Sequence, residues 1–342
     1  MRVLITGIHG FVGSNLVKAL SKDFEIYGLD IVSPEKEGVV KTYSWDDLAH
    51  GVLPEVDAII HLAGKAHDTK NQSEAEVYFQ VNTELTKRIY VFFLASSARR
   101  VVFFSSVKAA ADSVEGAYVD ENVEPKPVGP YGESKIEAER YIMRSLHFGR
   151  DDKKGARDDR GERSLHFGRD DNKGRRDDKY IYILRPCMIH GPGNKGNLNL
   201  LYGVVKRGFP WPLGAFENKR TFTSIDNLCF IVNGLLTKEV ESGIYHINDD
   251  EAVSTNELIE IICSALGKKA HIWSVPRGLM EGMAKIGGIL HLPLNPERLR
   301  KLTENYVSSN AKIKRALGIE QLPVRAKDGL YKTIKAFEKG DL

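Results

Sequence analysis

Between Val3 and Gly13 the chain reads VLITGIHGFVG, with Gly7, Gly10 and Gly13 at three-residue spacing. An apolar run of strand length comes before it. After it, Phe11, Val12, Leu16, Val17 and Leu20 recur at helical spacing, and a second apolar run, Ile26–Leu29, ends at Asp30. The order is strand, glycine turn, helix, strand, acid. Few folds use such a unit. Gly7 permits the tight turn, Gly10 lets the backbone approach a diphosphate, and Gly13 lets helix pack on strand. The amino terminus of the helix, at Phe11 and Val12, offers unpaired N–H groups and the positive end of a dipole. A carboxylate at Asp30 suits an adenosine ribose and disfavours a 2′-phosphate, so NAD is expected over NADP.

The pattern continues. AIIHL at 58–62 and VVFF at 101–104 are short buried-strand runs, separated by a helical segment over about 73–98, with Ser73 and Glu76 forming a capping-box pattern. Alternating strands and helices predict an α/β fold, a Rossmann-type doubly wound parallel sheet, with a smaller carboxyl-terminal α/β substrate domain. Ligands in such sheets bind beyond the carboxyl ends of the strands. Asp30, Leu62-Ala63-Gly64 and Ser105-Ser106 are expected there.

Tyr131-Gly132-Glu133-Ser134-Lys135 opens a helix 25 residues after Ser106. Tyr131 and Lys135 are four apart and share a face. A phenol near pKa ~10 is a poor acid or base at neutral pH, and a nearby ammonium is expected to lower it. With a strand-end serine, the pair forms a proton relay suited to alcohol–ketone interconversion beside a hydride carrier.

TGxxGxxG, the strand-end Ser-Ser, YxxxK and the later LRPxxxxGPG together resemble the extended short-chain dehydrogenase/reductase family, over almost the whole chain. The resemblance implies an NAD(P)-dependent enzyme acting on a nucleotide-activated sugar. It places Ser106, Tyr131 and Lys135 as catalytic residues, with Ser105 the alternative serine. Asn82 matches a structural asparagine of the family, and the backbone after Arg185-Pro186 lies beside the nicotinamide. The cofactor would then meet Gly7, Gly10, Phe11, Val12, Gly13, Asp30, Leu62, Ala63, Gly64, Asn82, Ser105, Tyr131, Lys135 and Pro186.

The stretch from Asn197 to Arg220 resembles the UDP-binding segment of UDP-sugar 4-epimerases and UDP-N-acetylhexosamine 4-ketoreductases. Asn197 would contact the diphosphate, Pro210–Leu213 with Trp211 would lie along the uracil, and Arg220 would pair with phosphate, as its planar fork suits. A second arginine would be Arg298 or Arg300. Residues 1–186 and about 221–248 are assigned to the NAD domain, and 187–220 with about 249–342 to the sugar domain. The resemblance implies chemistry at C4 of a UDP-hexose or UDP-N-acetylhexosamine, for surface polysaccharide synthesis in a bacterium. Epimerase and ketoreductase share these motifs, and a dehydratase on another nucleotide sugar or a non-catalytic dinucleotide sensor is the alternative.

One feature stands apart. Residues 144–159 recur at 163–178 with two differences, Lys153 against Asn172 and Ala156 against Arg175. Residues 144–179 hold 12 basic and 9 acidic residues, the whole of the net charge of +3, leaving 37 of each sign elsewhere. The body of the chain therefore has no charge bias toward nucleic acid or an anionic membrane. Only five apolar residues in the block argue for a loosely held insert, joining a helix to a strand at the sheet end opposite the chemistry. The block resembles in-frame repeat elements found in genes of some intracellular bacteria, and it emerges beside the helices that form a homodimer face in the family. Three scattered cysteines without CxxC, and His9, His61, His67 and His190 without ligand spacing, predict no metal site. No apolar run approaches a membrane span and no leader is read, so the expected location is cytoplasmic, with no membrane partner.

Overall fold

The computed structural model describes residues 1–65, 74–148, 179–194, 196–290 and 294–340. Seven parallel strands form the main sheet, in the order β3-β2-β1-β4-β5-β6-β9. These are β1 Arg2–Thr6, β2 Glu25–Leu29, β3 Lys41–Tyr43, β4 Ala58–His61, β5 Arg100–Phe104, β6 Tyr180–Pro186 and β9 Gly243–Ile247. β7 (Met188–His190) and β8 (Phe222–Ser224) make a separate parallel pair. β1 is flanked by β2 and β4, with Ile5 opposite both Gly28 and Ile60, so the strand order reverses there. That reversal opens a crevice above the strand ends.

The strands are apolar throughout because both faces are covered. Along β1, Val3 and Ile5 point to one core and Leu4 to the other, as side-chain alternation requires. The first core also holds Leu16 and Leu20 of α1 (Phe11–Leu20). The second holds Ile89 and Phe93 of α4 (Leu85–Ala95), with Ala138 and Ile142 of α6 (Gly129–Phe148). Between α1 and α4 lie α2 (Trp45–Ala49) and α3 (Ala75–Phe79), and α5 is Val107–Ala110. Fully burying a side chain such as Leu16 or Phe93 contributes roughly 2 kcal/mol.

A third core lies apart from the sheet. It gathers Leu198 and Tyr202 from α7 (Asn197–Lys206), Ile259 and Ile262 from a helix at Thr255–Ala265, and Leu330 and Phe337 from a helix at Ala326–Lys339. A Ser254–Glu257 capping box opens the first of these, bonded in both directions. Ile313, Leu317 and Leu322 pack in the first core. They cover Leu228 and Leu235 of the helix Ile225–Thr237 that backs β9.

The expected single helix near 73–98 is interrupted. α3 and α4 are joined by a π turn at Gln80–Glu84. Ser73 and His67 lie outside the described residues, as does most of the duplicated block. After the block the chain returns at Lys179, whose ammonium donates to the carbonyls of Phe93 (2.9 Å), Ser96 (3.0 Å) and Ala98 (2.7 Å). A cation there satisfies carbonyls left open where α4 ends. Tyr180 then starts β6, so the return lies at the amino-terminal edge of the sheet, opposite Ser106.

Candidate active site

The glycine turn divides its work as its spacing suggests. Gly7 has φ +67, and a Cβ there would sit 2.9 Å from the Ala63 nitrogen; at Gly13 it would lie 2.5 Å from the Gly7 carbonyl oxygen. Both positions therefore require glycine for the protein's own backbone. Gly10 differs: a Cβ would meet only the Gly7 oxygen, at 3.2 Å, with open space otherwise. Gly10 is also the N-cap of α1, where no side chain caps the helix and the first turn carries no acid. An uncapped helix end facing open space is what a diphosphate fills. Asp30 receives the His9 amide at 3.0 Å and the Ile31 amide at 2.8 Å, which fixes its carboxylate beside the turn. These residues fit NAD.

Behind the turn runs a polar chain whose hydrogens can all be assigned. Thr6 Oγ1 accepts the amides of Leu62 (3.2 Å) and Ala63 (3.0 Å), so its hydroxyl donates to His61 Nδ1 at 2.7 Å. Thr86 donates to the Asn82 carbonyl at 2.6 Å and accepts from His61 Nε2 at 3.0 Å. His61 is thus a neutral imidazole with its proton on Nε2, and burial pushes its pKa down to about 3. At the other end, Asn82 accepts the Lys65 amide at 2.8 Å and donates to the Lys65 carbonyl and to Ser134 Oγ. The π turn aims Asn82 inward to hold the 62–65 loop against α6, and Gly64 has no room for a Cβ, which would lie 2.9 Å from Asn82 Oδ1.

Ser106, Tyr131 and Lys135 meet above the end of β5. Ser106 and Tyr131 share a side-chain hydrogen bond, and Ser106 Oγ also accepts the Lys108 amide at 3.2 Å. Ser105 turns away and donates to Glu139, so of the two serines only Ser106 is bonded to the tyrosine. Lys135, 5% exposed, donates from Nζ to the Phe104 carbonyl at 2.8 Å and lies over the Phe103 ring. Burial lowers its pKa to about 8, against the pull of Glu139. The expected lowering at Tyr131 is not what the protein alone provides. Burial raises the phenol's pKa, opposed by the Ser106 hydrogen bond and reinforced by Tyr78, whose ring packs edge-on at 6.3 Å. The physical reason is that the lysine ammonium is committed to the Phe104 carbonyl.

On the sugar side the expected residues divide. Asn197 is exposed at the first position of α7. Arg220 donates from Nη1 to the Lys301 carbonyl at 2.6 Å, next to the helix Pro296–Thr303 that carries Arg298 and Arg300. Arg298 is exposed, while Arg300 lies between Asp112 (3.8 Å) and Glu304 (3.7 Å). Trp211 is 8% exposed, its ring belongs to the third core, and its backbone N–H and C=O pair with His271 and Trp273, both at 2.8 Å. Beside Pro186, which is buried at the end of β6, Cys187 packs with Val107 and Tyr306. Burial pushes the Cys187 thiol up to about 11, so it is no thiolate nucleophile. Among the described residues no group of three His, Cys, Asp or Glu could hold a metal.

Sequence reasoning assigns no role to Thr6, Thr86 or Glu139, takes His61 only as no metal ligand, and takes Arg185 only as part of the LRP motif. Glu139 was visible as the continuation of the Tyr131–Lys135 spacing, and His61 as an imidazole inside an apolar strand.

The model of the NAD dependent epimerase/dehydratase family matches residues 3–146, up to the duplicated block. The UDP-glucose 4-epimerase of Vibrio cholerae is 28% identical over 297 residues, 80% of this chain and 78% of that protein. The N-acetyl-alpha-D-glucosaminyl-diphospho-ditrans,octacis-undecaprenol 4-epimerase of Escherichia coli O157:H7 is 26% identical over 92% of this chain and 84% of that protein. Among solved structures, the UDP-glucuronic acid 4-epimerase of Bacillus cereus in complex with NAD superposes with TM-score 0.70 at 18% identity, covering 100% of both chains. With the glycine turn, the strand-end serine and the Tyr-Lys helix in one crevice, residues 3–146 match the NAD dependent epimerase/dehydratase family, and the chain shares the fold of that solved epimerase.

Proposed function

We propose that the protein carries out oxidoreduction at C4 of a UDP-hexose or UDP-N-acetylhexosamine, by epimerisation or 4-keto reduction, for surface polysaccharide. The hydrogen-bonded Ser106–Tyr131 pair above β5, with Lys135 one turn along, supports this reading most directly. NAD, when bound, supplies the hydride chemistry. Tyr131 handles the proton of the sugar hydroxyl. Its raised pKa keeps it a phenol, the acid that ketone reduction needs, and the Ser106 hydrogen bond supports the reverse step. Ser106 orients the sugar oxygen and Lys135 holds the nicotinamide ribose. Asn197, Trp211, Arg220 and Arg298 take the UDP. The protein acts as a cytoplasmic homodimer through α4 and α6.

A second substrate reading has its own observation. Leu279, Met283, Ile286 and Leu290 form an exposed stripe along the helix Arg277–Ile289, 50–62% exposed, while Met280, Ala284 and Gly287 pack inward. An outward apolar face suits a sugar carried on a polyprenyl diphosphate, the substrate in the name of the Escherichia coli relative. Incubation with UDP-glucose, UDP-GlcNAc, a UDP-4-keto-6-deoxyhexosamine and polyprenyl-diphosphate GlcNAc tests both readings. Net NADH consumption with the keto sugar identifies a reductase, and interconversion without net cofactor change an epimerase. Full activity in Tyr131→Phe would refute the assignment of the acid/base.

A further inference from the structure

Glu139 extends the four-residue spacing of Tyr131 and Lys135, so all three rise from one face of α6. It is 1% exposed, as is Arg185 at the end of β6. Arg185 donates from Nε to Oε1 at 3.0 Å and from Nη2 to Oε2 at 2.6 Å, and the Ser105 hydroxyl adds a third donor. Desolvating two such charges costs several kcal/mol per ion, and apolar side chains of similar volume often serve a fold equally well. Folding alone does not explain the pair.

Its position next to Lys135 does. The charged and titratable groups around that ammonium are Tyr131 and Glu139 on its own helix, His61 from β4, and Arg185 on the far side of Glu139. β5 presents only the Phe104 carbonyl and the Phe103 ring, and the π turn presents the Asn82 amide oxygen. His61 is neutral. Glu139 is the group that favours the ammonium against burial.

We propose that Glu139 is a positioning residue: its carboxylate, clamped by Arg185 and Ser105, keeps Lys135 charged and aimed at the end of β5. The inference rests on Tyr131 and Lys135 being the reacting pair. Its test uses the cofactor-free full chain with lysine labelled with 13C at Cε, following the titration of Lys135 by NMR, identified by the signal missing in Lys135→Met. In Glu139→Gln the midpoint should move down from about 8 by roughly one unit. The alkaline limb of the kcat profile should move with it.

Glu139→Gln leaves a buried guanidinium unpaired and could fail to fold. The double variant Glu139→Gln/Arg185→Met removes that charge as well. Thermal stability near wild type with a lowered Lys135 midpoint is the expected result. A wild-type midpoint and pH profile in the double variant would show that Glu139 serves only the ion pair, and would overturn the proposal. Loss of activity in Tyr131→Phe with an unmoved Lys135 midpoint sinks this inference alone; retained activity there sinks the reading beneath it.

Discussion

Replacing Lys135 with methionine should stabilise the cofactor-free protein while abolishing turnover. The ammonium is 5% exposed and burial lowers its pKa from 10.5 to about 8. A difference of roughly 2.5 units corresponds to about 3 kcal/mol against the folded state when the lysine is charged. Methionine removes that cost and keeps most of the packing volume. It also removes the bond to the Phe104 carbonyl, worth about 1 kcal/mol, and the contact with the Phe103 ring, worth about 1 kcal/mol more. The balance favours the variant by about 1 kcal/mol, or ~2 °C in Tm. Its pH dependence follows from the direction of the shift. The folded pKa lies below the unfolded one, so below about pH 8 both states are protonated and the whole cost is present. Between pH 8 and 10.5 the unfolded chain keeps a proton that the folded protein has released, so wild-type stability rises with pH and the cost disappears. Calorimetry of both proteins at pH 7 and pH 10 should show a gap that favours the variant and closes, or reverses, at the higher pH. A variant several degrees less stable at pH 7, or a gap independent of pH, would mean that Lys135 is held for packing and that its buried charge imposes no strain on the fold.

Gly10→Ala should fold with a Tm near wild type yet bind NAD at least tenfold more weakly by calorimetry, because a methyl there enters open space reserved for the diphosphate. Gly13→Ala should instead lose several kcal/mol of stability, since its Cβ would lie 2.5 Å from the Gly7 oxygen. Asn82→Leu orphans the Lys65 backbone groups and removes the donor to Ser134 Oγ, so a loss of about 2–3 kcal/mol in denaturant unfolding is expected, together with a fall in kcat. Deleting residues 145–178 should leave kcat within a few-fold of wild type and the oligomer unchanged by light scattering. Lost turnover with the oligomer intact would give the duplicated block a catalytic role.

The legible parts of this chain are those in which a local rule acts without competition. Gly7, Gly10 and Gly13 could be read because a turn, a ligand approach and a helix–strand contact each exclude a side chain, and the structure separates the first and third from the second on that basis. Ser106 over Ser105 could be read only as a preference from spacing, because two adjacent strand-end residues point to opposite sides and the sequence does not say which side holds the phenol. The structure separates them through their partners, Tyr131 for one and Glu139 for the other. Two things stayed hidden for a shared reason. The polar chain through Thr6, His61 and Thr86 joins groups 55 and 25 residues apart, and the π turn at Gln80–Glu84 aims Asn82 at Lys65 and Ser134, 17 and 52 residues away; no periodicity within a single element encodes such pairing. The phenol's raised pKa was hidden too, since spacing places a lysine one turn from a tyrosine but does not fix where its ammonium points. A buried carbonyl at Phe104 took that ammonium, and the site must recover the difference through Ser106 and through the charge that Glu139 keeps on Lys135.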